Sequence, residues 1–314
     1  MKRFIRNTCL ISLIILAVII IIEFALFLRP NTYSYKSEYV NNHIDDLHTL
    51  LFGNSHIERA LIPDSMDKGT FNLAISGRPL IYDIELAKMF IPKMKSLDNV
   101  VMPLDYSLFY FDRIPFIPET EQKGVGLLDD TYKCMYYKYM GIRVDRFWYW
   151  SEVLNSKLNY FTRFFISDEE ARECDSLGYI QNELKTRDHA WQYHQTPLKV
   201  DLSKPKNKDT YNMVYNYYTT LSDLTYRQHT RLILISTPMF KTSQVEMIPE
   251  LRDEMRAFVA QLRLKNPNVY YLDYTDDPRF EDHDFFDSSH MSEYGAAKLS
   301  KILNRDIKEL PAFQ

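Results

Sequence analysis

Two short stretches of the chain hold the residue types that acyl-transfer chemistry needs. In the first, the apolar residues Leu50, Leu51 and Phe52 run into Gly53, Asn54, Ser55 and His56. A glycine there lets the backbone turn tightly and approach another group closely. Ser55 then presents its hydroxyl and its own N–H at the end of a strand. A helix beginning at that point would offer free N–H groups and a dipole to a developing negative charge. Serine at a strand-to-helix turn is equally a routine helix N-cap. In the second stretch, Asp287 and His290 flank Ser288 and Ser289. Three residues of separation on a turn can set a carboxylate against one imidazole nitrogen, fixing the tautomer so that the other nitrogen faces a serine. Asp and His at such a place also act as plain capping groups for the helix that follows.

These stretches must be positioned by strands and helices. Apolar runs at 48–52, 71–75, 100–104, 231–236 and 269–272 read as strands, most of them ending in glycine, serine or proline signals. Amphipathic stretches at 82–94, 211–228, 246–264 and 293–308 read as helices, the last opening on a close-packing face of Gly295, Ala296 and Ala297. Strands alternating with helices argue for a parallel sheet covered on both faces. Functional groups gather beyond the C-terminal strand ends of such sheets. Between about 111 and 205 the alternation fails and aromatics crowd together, among them Tyr132, Tyr136, Tyr137, Tyr139, Phe147, Trp148, Tyr149 and Trp150. This stretch reads as a mostly helical insertion over the strand ends. Its aromatics could stack on a sugar, although aromatics at helical spacing more often fill a core.

At the N-terminus, Lys2, Arg3 and Arg6 precede an apolar segment over 8–28, interrupted only by Glu23. About 20 such residues suffice for a helix to cross a bilayer. The basic flank predicts a cytoplasmic tail over 1–7 and a translocated body. A cleaved signal peptide is the rival reading, opposed by the length of the run and the lack of a small-x-small site after it. Glu23 is a cost within the span, tolerable near its outer end where a carboxylate reaches the interface. Residues 29–45 are polar and read as a tether to a domain over 46–314. The 46% hydrophobic and 25% charged residues describe an ordinary globular chain. A net charge of -4, with no basic cluster beyond the N-terminus, argues against nucleic-acid binding. Cys9, Cys134 and Cys174 are too few for a disulfide framework or a zinc site; a single Cys134–Cys174 bridge and two unpaired thiols both remain open. Asp276, Asp277, Glu281, Asp282, His283 and Asp284 bunch on one loop without a metal-ligand spacing and read as a solvated loop. No metal and no cofactor is expected.

Taken together, Gly53-Asn54-Ser55-His56, Asn72-Leu73-Ala74-Ile75-Ser76-Gly77 and Asp287-Ser288-Ser289-His290 resemble the blocks of the SGNH, or GDSL-type, hydrolase superfamily, in the variant form of its membrane-anchored branch. The resemblance spans about 50–310, with the insertion outside it. It implies a flavodoxin-like three-layer α/β/α SGNH fold. It also implies a triad of Ser55 as nucleophile, His290 as base and Asp287 as its orienter, with an oxyanion hole from the N–H groups of Ser55 and Gly77. One block departs: after the third strand the chain reads Leu104-Asp105-Tyr106-Ser107, without the asparagine that supplies a further oxyanion donor in the family. An ionised Asp105 would repel an oxyanion, leaving Ser107 or a backbone N–H for that role. Asn54 and His56 adjoin the nucleophile; His56 should point away from it if the backbone is still extended there.

Similar replacement occurs in anchored relatives that transfer acyl groups in envelope-polymer modification, including teichoic-acid D-alanylation and alginate O-acetylation proteins. The resemblance therefore implies a serine ester hydrolase or O-acyltransferase acting on an acylated glycan or another envelope ester. The alternative is a non-catalytic envelope protein that keeps the fold for glycan binding or assembly. A third reading is a partner subunit of a multi-span membrane acyltransferase.

Overall fold

The computed structural model describes residues 1–105, 126–144, 151–154, 160–193, 205–242 and 249–313. The chain divides into two units, Met1–Glu38 with Pro115–Glu173, and Tyr39–Ile114 with Cys174–Gln314.

The larger unit is built on five parallel strands, β1 (Thr49–Leu51), β2 (Thr70–Asn72), β3 (Asn99–Pro103), β4 (Arg231–Ser236) and β5 (Val269–Asp273). Their order is β2-β1-β3-β4-β5, so the fold is a flavodoxin-like α/β/α sandwich. The chain leaves β1 to one side for β2 and to the other for β3, which makes the β1/β3 junction the topological switch point. Its register is Leu50 opposite Val100 and Leu51 opposite Val101.

Strand side chains alternate between faces, and both faces are apolar because both are covered. Leu51, Val101, Ile233 and Ile235 share a core with Ala296, Leu299, Leu303 and Ile307 of the last helix, α9 (Glu293–Glu309), and with Ile57. Those four positions of α9 recur at helical spacing, and Ser292 caps the helix by accepting the Gly295 N–H. Gly295 is required by close approach, since a Cβ there would sit 2.0 Å from the Asp284 carbonyl oxygen. α4 (Leu80–Phe90), α7 (Pro205–Arg227) and α8 (Pro249–Lys265) complete the layers. Tyr218 of α7 packs edge-on against Phe258 of α8 and donates its hydroxyl to the Pro103 carbonyl at 2.5 Å.

The predicted strand at 71–75 pairs only over Thr70–Asn72. Beyond it the Leu73 and Ile75 N–H groups still donate to Leu51 and Gly53. The predicted helix at 82–94 begins earlier, at Leu80 after Pro79, and ends at Phe90 with a 3-10 turn over Ile91–Lys93. Residues 174–193, read as insertion, group with the sheet-bearing unit instead. Gly178 adjoins Asn72, and Ile180 donates to the Glu58 carbonyl.

In the smaller unit, which also holds the short α6 (Asp168–Arg172), α1 (Lys2–Leu28) is long and apolar enough to span a membrane. The segment read as a tether holds α2 (Thr32–Asn42), started by Asn31, whose side chain accepts the Tyr33 and Ser34 N–H groups. Glu23 does not behave as an interfacial carboxylate: it is 1% exposed. Its oxygens take Lys138 Nζ of α5 (Gly126–Met140) at 2.7 Å, the Ser151 hydroxyl at 2.5 Å and the Val153 N–H at 2.9 Å. Lys138 also meets Glu152 at 2.8 Å, and Glu152 is paired with Arg163 and Tyr139. A buried carboxylate holds its charge only where such partners replace water.

Tyr132 and Tyr136 are buried, which is the core role for these aromatics, whereas Phe165 is exposed. Phe147, Trp148, Tyr149 and Trp150 lie outside the described residues. Cys134 and Cys174 are both buried, and neither is in a disulfide among the described residues. Burial, reinforced by Glu152, pushes the Cys134 thiol up to about 12.

Candidate active site

β1 ends at Leu51 and the chain reverses into a helix within four residues. Gly53 sits at φ 125°, and a Cβ there would lie 2.5 Å from Cδ of Pro103 on β3. Only glycine lets the two strand ends pass so closely. The Gly53 N–H donates to Asp83 of α4 at 2.9 Å, and Asp83 is in turn paired with Arg78, both buried. Asn54 then caps the short helix α3 (Ser55–Glu58) by accepting the His56 N–H at 2.9 Å. Asn54 thus builds the turn.

Ser55 opens α3 as its first residue. Its hydroxyl lies 2.9 Å from Nε2 of His290, 235 positions away in the sequence. Nδ1 of His290 lies 2.7 Å from Oδ2 of Asp287. Oδ1 of the same carboxylate accepts the N–H groups of Ser289 and His290 at 2.8 Å each. The turn is closed by the Phe286 N–H to the His290 carbonyl and by an antiparallel bridge between Phe285 and Met291. Burial alone would raise the Asp287 pKa. The hydrogen bond and charge of His290, with the two N–H groups, outweigh it and hold the carboxyl well below the usual range.

Ser55 and Gly77 each carry an N–H that donates no hydrogen bond among the described residues. Gly77, at φ 70°, lies on the loop after β2. The preceding residue is tied to α3, since the Ser76 N–H and hydroxyl both donate to the Glu58 carboxylate, at 2.7 and 2.5 Å. An unengaged N–H on the serine itself is raw material for an oxyanion site, and the Gly77 N–H on the loop after β2 is the second candidate donor.

His56 does not point away. The backbone is already helical at Ser55, so successive side chains step by about 100° rather than alternating. Its ring meets that of His290 edge to face, with centroids 5.2 Å apart, and its Nδ1 lies 2.8 Å from Oδ2 of Asp105. Asp105, just beyond β3, therefore engages a histidine beside the serine. Ser107 lies outside the described residues.

Sequence reasoning missed Arg59 and Asn182. Arg59 follows Ser55 by four positions, donates from Nη1 to Oδ1 of Asn182 at 2.5 Å, and reaches the Ser76 hydroxyl at 3.3 Å. Asn182 also donates to the Met291 carbonyl at 3.0 Å and accepts the Glu293 N–H on its own carbonyl. The helical spacing from Ser55 could have flagged Arg59; Asn182 lies in a stretch without periodicity. Both line a cavity of about 510 Å³ with Gln181, Thr186, Phe286 and His290.

On the acidic loop, Asp276 meets Arg252, Asp277 pairs with Arg279, and Asp284 is buried against Lys298. These carboxylates are matched by cations of the fold.

No family model matches the chain, and no curated protein matches it. Among solved structures, a chain from Streptococcus pneumonia provisionally described as a platelet activating factor is 11% identical, with 95% of this chain and 99% of that chain covered at a TM-score of 0.43. That likeness carries no argument about activity.

Proposed function

We propose that the protein is a membrane-anchored serine ester hydrolase or O-acyltransferase of the SGNH type. The observation that carries the reading is the series Asp287–His290–Ser55, joined at 2.7 and 2.9 Å. The carboxylate fixes the Nδ1–H tautomer and leaves Nε2 to take the hydroxyl proton. Ser55 Oγ attacks an acyl carbonyl as His290 accepts that proton, and the carbonyl oxygen becomes an oxyanion facing the Ser55 and Gly77 N–H groups. Collapse expels the alcohol, which leaves with the proton held by His290, and the acyl group stays on Ser55. Water or a second hydroxyl then attacks, passes its proton to His290, and releases the acid or a new ester while Ser55 is reprotonated.

The cavity supports a polyhydroxylated partner. It is lined by Gln181, Thr186, Arg59, Glu183 and Phe286 together with Asp287 and His290, so hydroxyl, amide and charged groups meet at the proposed base. A glycan hydroxyl of the cell envelope as acceptor fits these groups, and α1 is the proposed anchor, with Lys2, Arg3 and Arg6 on its cytoplasmic side.

Ser55→Ala should abolish labelling of the detergent-solubilised full chain by a fluorophosphonate probe. Labelling that persists in that variant overturns the assignment. The non-catalytic alternative is favoured by one observation, the carboxylate of Asp105 where the resemblance calls for an asparagine; a wild-type chain that takes up no probe would support it.

A further inference from the structure

The His56–Asp105 pair has no part in the series of Asp287, His290 and Ser55, yet it adjoins it. We infer that His56, held by Asp105, is the oxyanion donor that stands in for the absent asparagine, an inference that rests on the acyl-transfer reading of Ser55.

Three observations lead there. First, the pair straddles the switch point, His56 in the turn after β1 and Asp105 just past β3, so both lie where the sheet presents groups to a ligand. Second, the His56 ring sits edge to face against His290, the residue that holds the Ser55 hydroxyl. His56 is also the next residue after the nucleophile, in the first turn of α3, whose Ser55 N–H serves the oxyanion in the proposed chemistry. Third, Nδ1 of His56 is hydrogen bonded to Asp105, and Nε2 makes no hydrogen bond among the described residues.

The surroundings favour the charged imidazole. Burial works against the cation, but the charge and hydrogen bond of Asp105, and then the charge of Asp287, outweigh it and raise the His56 pKa above its ordinary value. The other charged groups nearby are engaged elsewhere: Glu58 by Ser76, Arg59 by Asn182, and His290 by Asp287. The side chains of His56 and Asp105 are only 20% and 13% exposed, so water screens the pair weakly. Asp105 alone would repel an oxyanion. Neutralised by the imidazolium, it instead orients an N–H donor, in the way a second carboxylate orients the general base in the neighbouring triad. Fixed donors of this kind need no reorganisation as charge develops.

The test compares His56→Phe, Asp105→Asn and Ser55→Ala in the detergent-solubilised full chain, following the acylation burst with p-nitrophenyl acetate as probe. His56→Phe keeps a ring but no donor and should slow acylation by about 10²–10³-fold, the effect of deleting one oxyanion donor, with KM little changed. Asp105→Asn keeps an acceptor for Nδ1–H but removes the charge that raises the His56 pKa. Activity should then fall away at lower pH on the alkaline side than in the wild type. A purely packing role for His56 would not move the alkaline limb. An alkaline limb identical in Asp105→Asn and wild type, or a His56→Phe chain that acylates at the wild-type rate while Ser55→Ala is dead, overturns the inference and leaves the hydrolase reading standing. A Ser55→Ala chain that still acylates overturns both.

Discussion

In the proposed acyl transfer Asp287 is the residue on which the chemistry turns, because its two oxygens do different work. Oδ2 holds the imidazole and Oδ1 holds the turn through the Ser289 and His290 N–H groups. Asp287→Asn should preserve most of that shape yet let the ring adopt the wrong tautomer. Acylation is then expected to drop by about 10³–10⁴-fold, as tautomer loss does in serine triads, with fluorophosphonate uptake as the readout. The same carboxylate carries a pH signature. Its folded-state pKa is depressed, so its stabilising contribution is complete above the unfolded value of about 3.9 and fades as pH falls towards the lowered folded value. The gap in urea midpoint between wild type and Asp287→Asn should accordingly be constant from neutral pH down to about pH 5 and narrow below about pH 4. A gap that widened below about pH 4 would contradict the lowered carboxyl pKa.

Among the elements, the turn from β1 into α3 is the most demanding. A side chain at Gly53 would have to occupy φ 125° and push against Pro103 Cδ at 2.5 Å and Ile57 Cγ1 at 3.0 Å. Backbone strain and overpacking together suggest a loss of about 2–4 kcal/mol for Gly53→Ala, measurable as a lowered urea midpoint, and a displaced Ser55 with it. An unchanged midpoint would mean that the strands separate easily. This turn was legible in the sequence because an apolar run, a glycine and a serine are all local signals. The strands 231–236 and 269–272, and the helix from Glu293, were legible for the same reason: their periodicity or their runs of β-branched and apolar residues sit within a few positions. Three features were not. The orientation of His56 depends on whether the backbone is extended or helical at one residue, which alternation cannot decide. Asn182 reaches the site through pairing between segments 123 and 109 positions apart, beyond any local signal. The helix over Thr32–Asn42 hides in a polar composition, because Tyr, Asn and Ser weaken propensity while its burial against other residues supplies what propensity does not.

For the whole molecule, the question is whether the apolar N-terminal helix is a removable leader or a part of the folded protein. A span of 27 residues rises about 40 Å, while the hydrocarbon layer takes only about 30 Å, so the last turns of α1 are long enough to emerge from it. Those last turns are the buried ones. Glu23 and Leu26 are the residues of α1 that lose their exposure, and the Leu26 and Arg29 carbonyls accept Arg163 at 2.9 and 3.0 Å. A leader cut away after the helix would strip Lys138 of one of its two carboxylates and Arg163 of the Leu26 carbonyl, inside a body that buries both Lys138 and Glu152. Glu23→Ala tests the point without altering the span, because alanine is tolerated in any membrane helix. Lys138 keeps Glu152, so the expected loss is less than the roughly 3–5 kcal/mol typical of a fully orphaned buried charge, and about 1–3 kcal/mol is the reasonable range. In the detergent-solubilised chain this should appear as faster proteolysis within residues 126–173, with the Ser55 reactivity of the sheet-bearing unit retained. If Glu23→Ala leaves that proteolysis unchanged, the carboxylate is not a structural part of the smaller unit, and a cleaved leader becomes the better reading of the N-terminus.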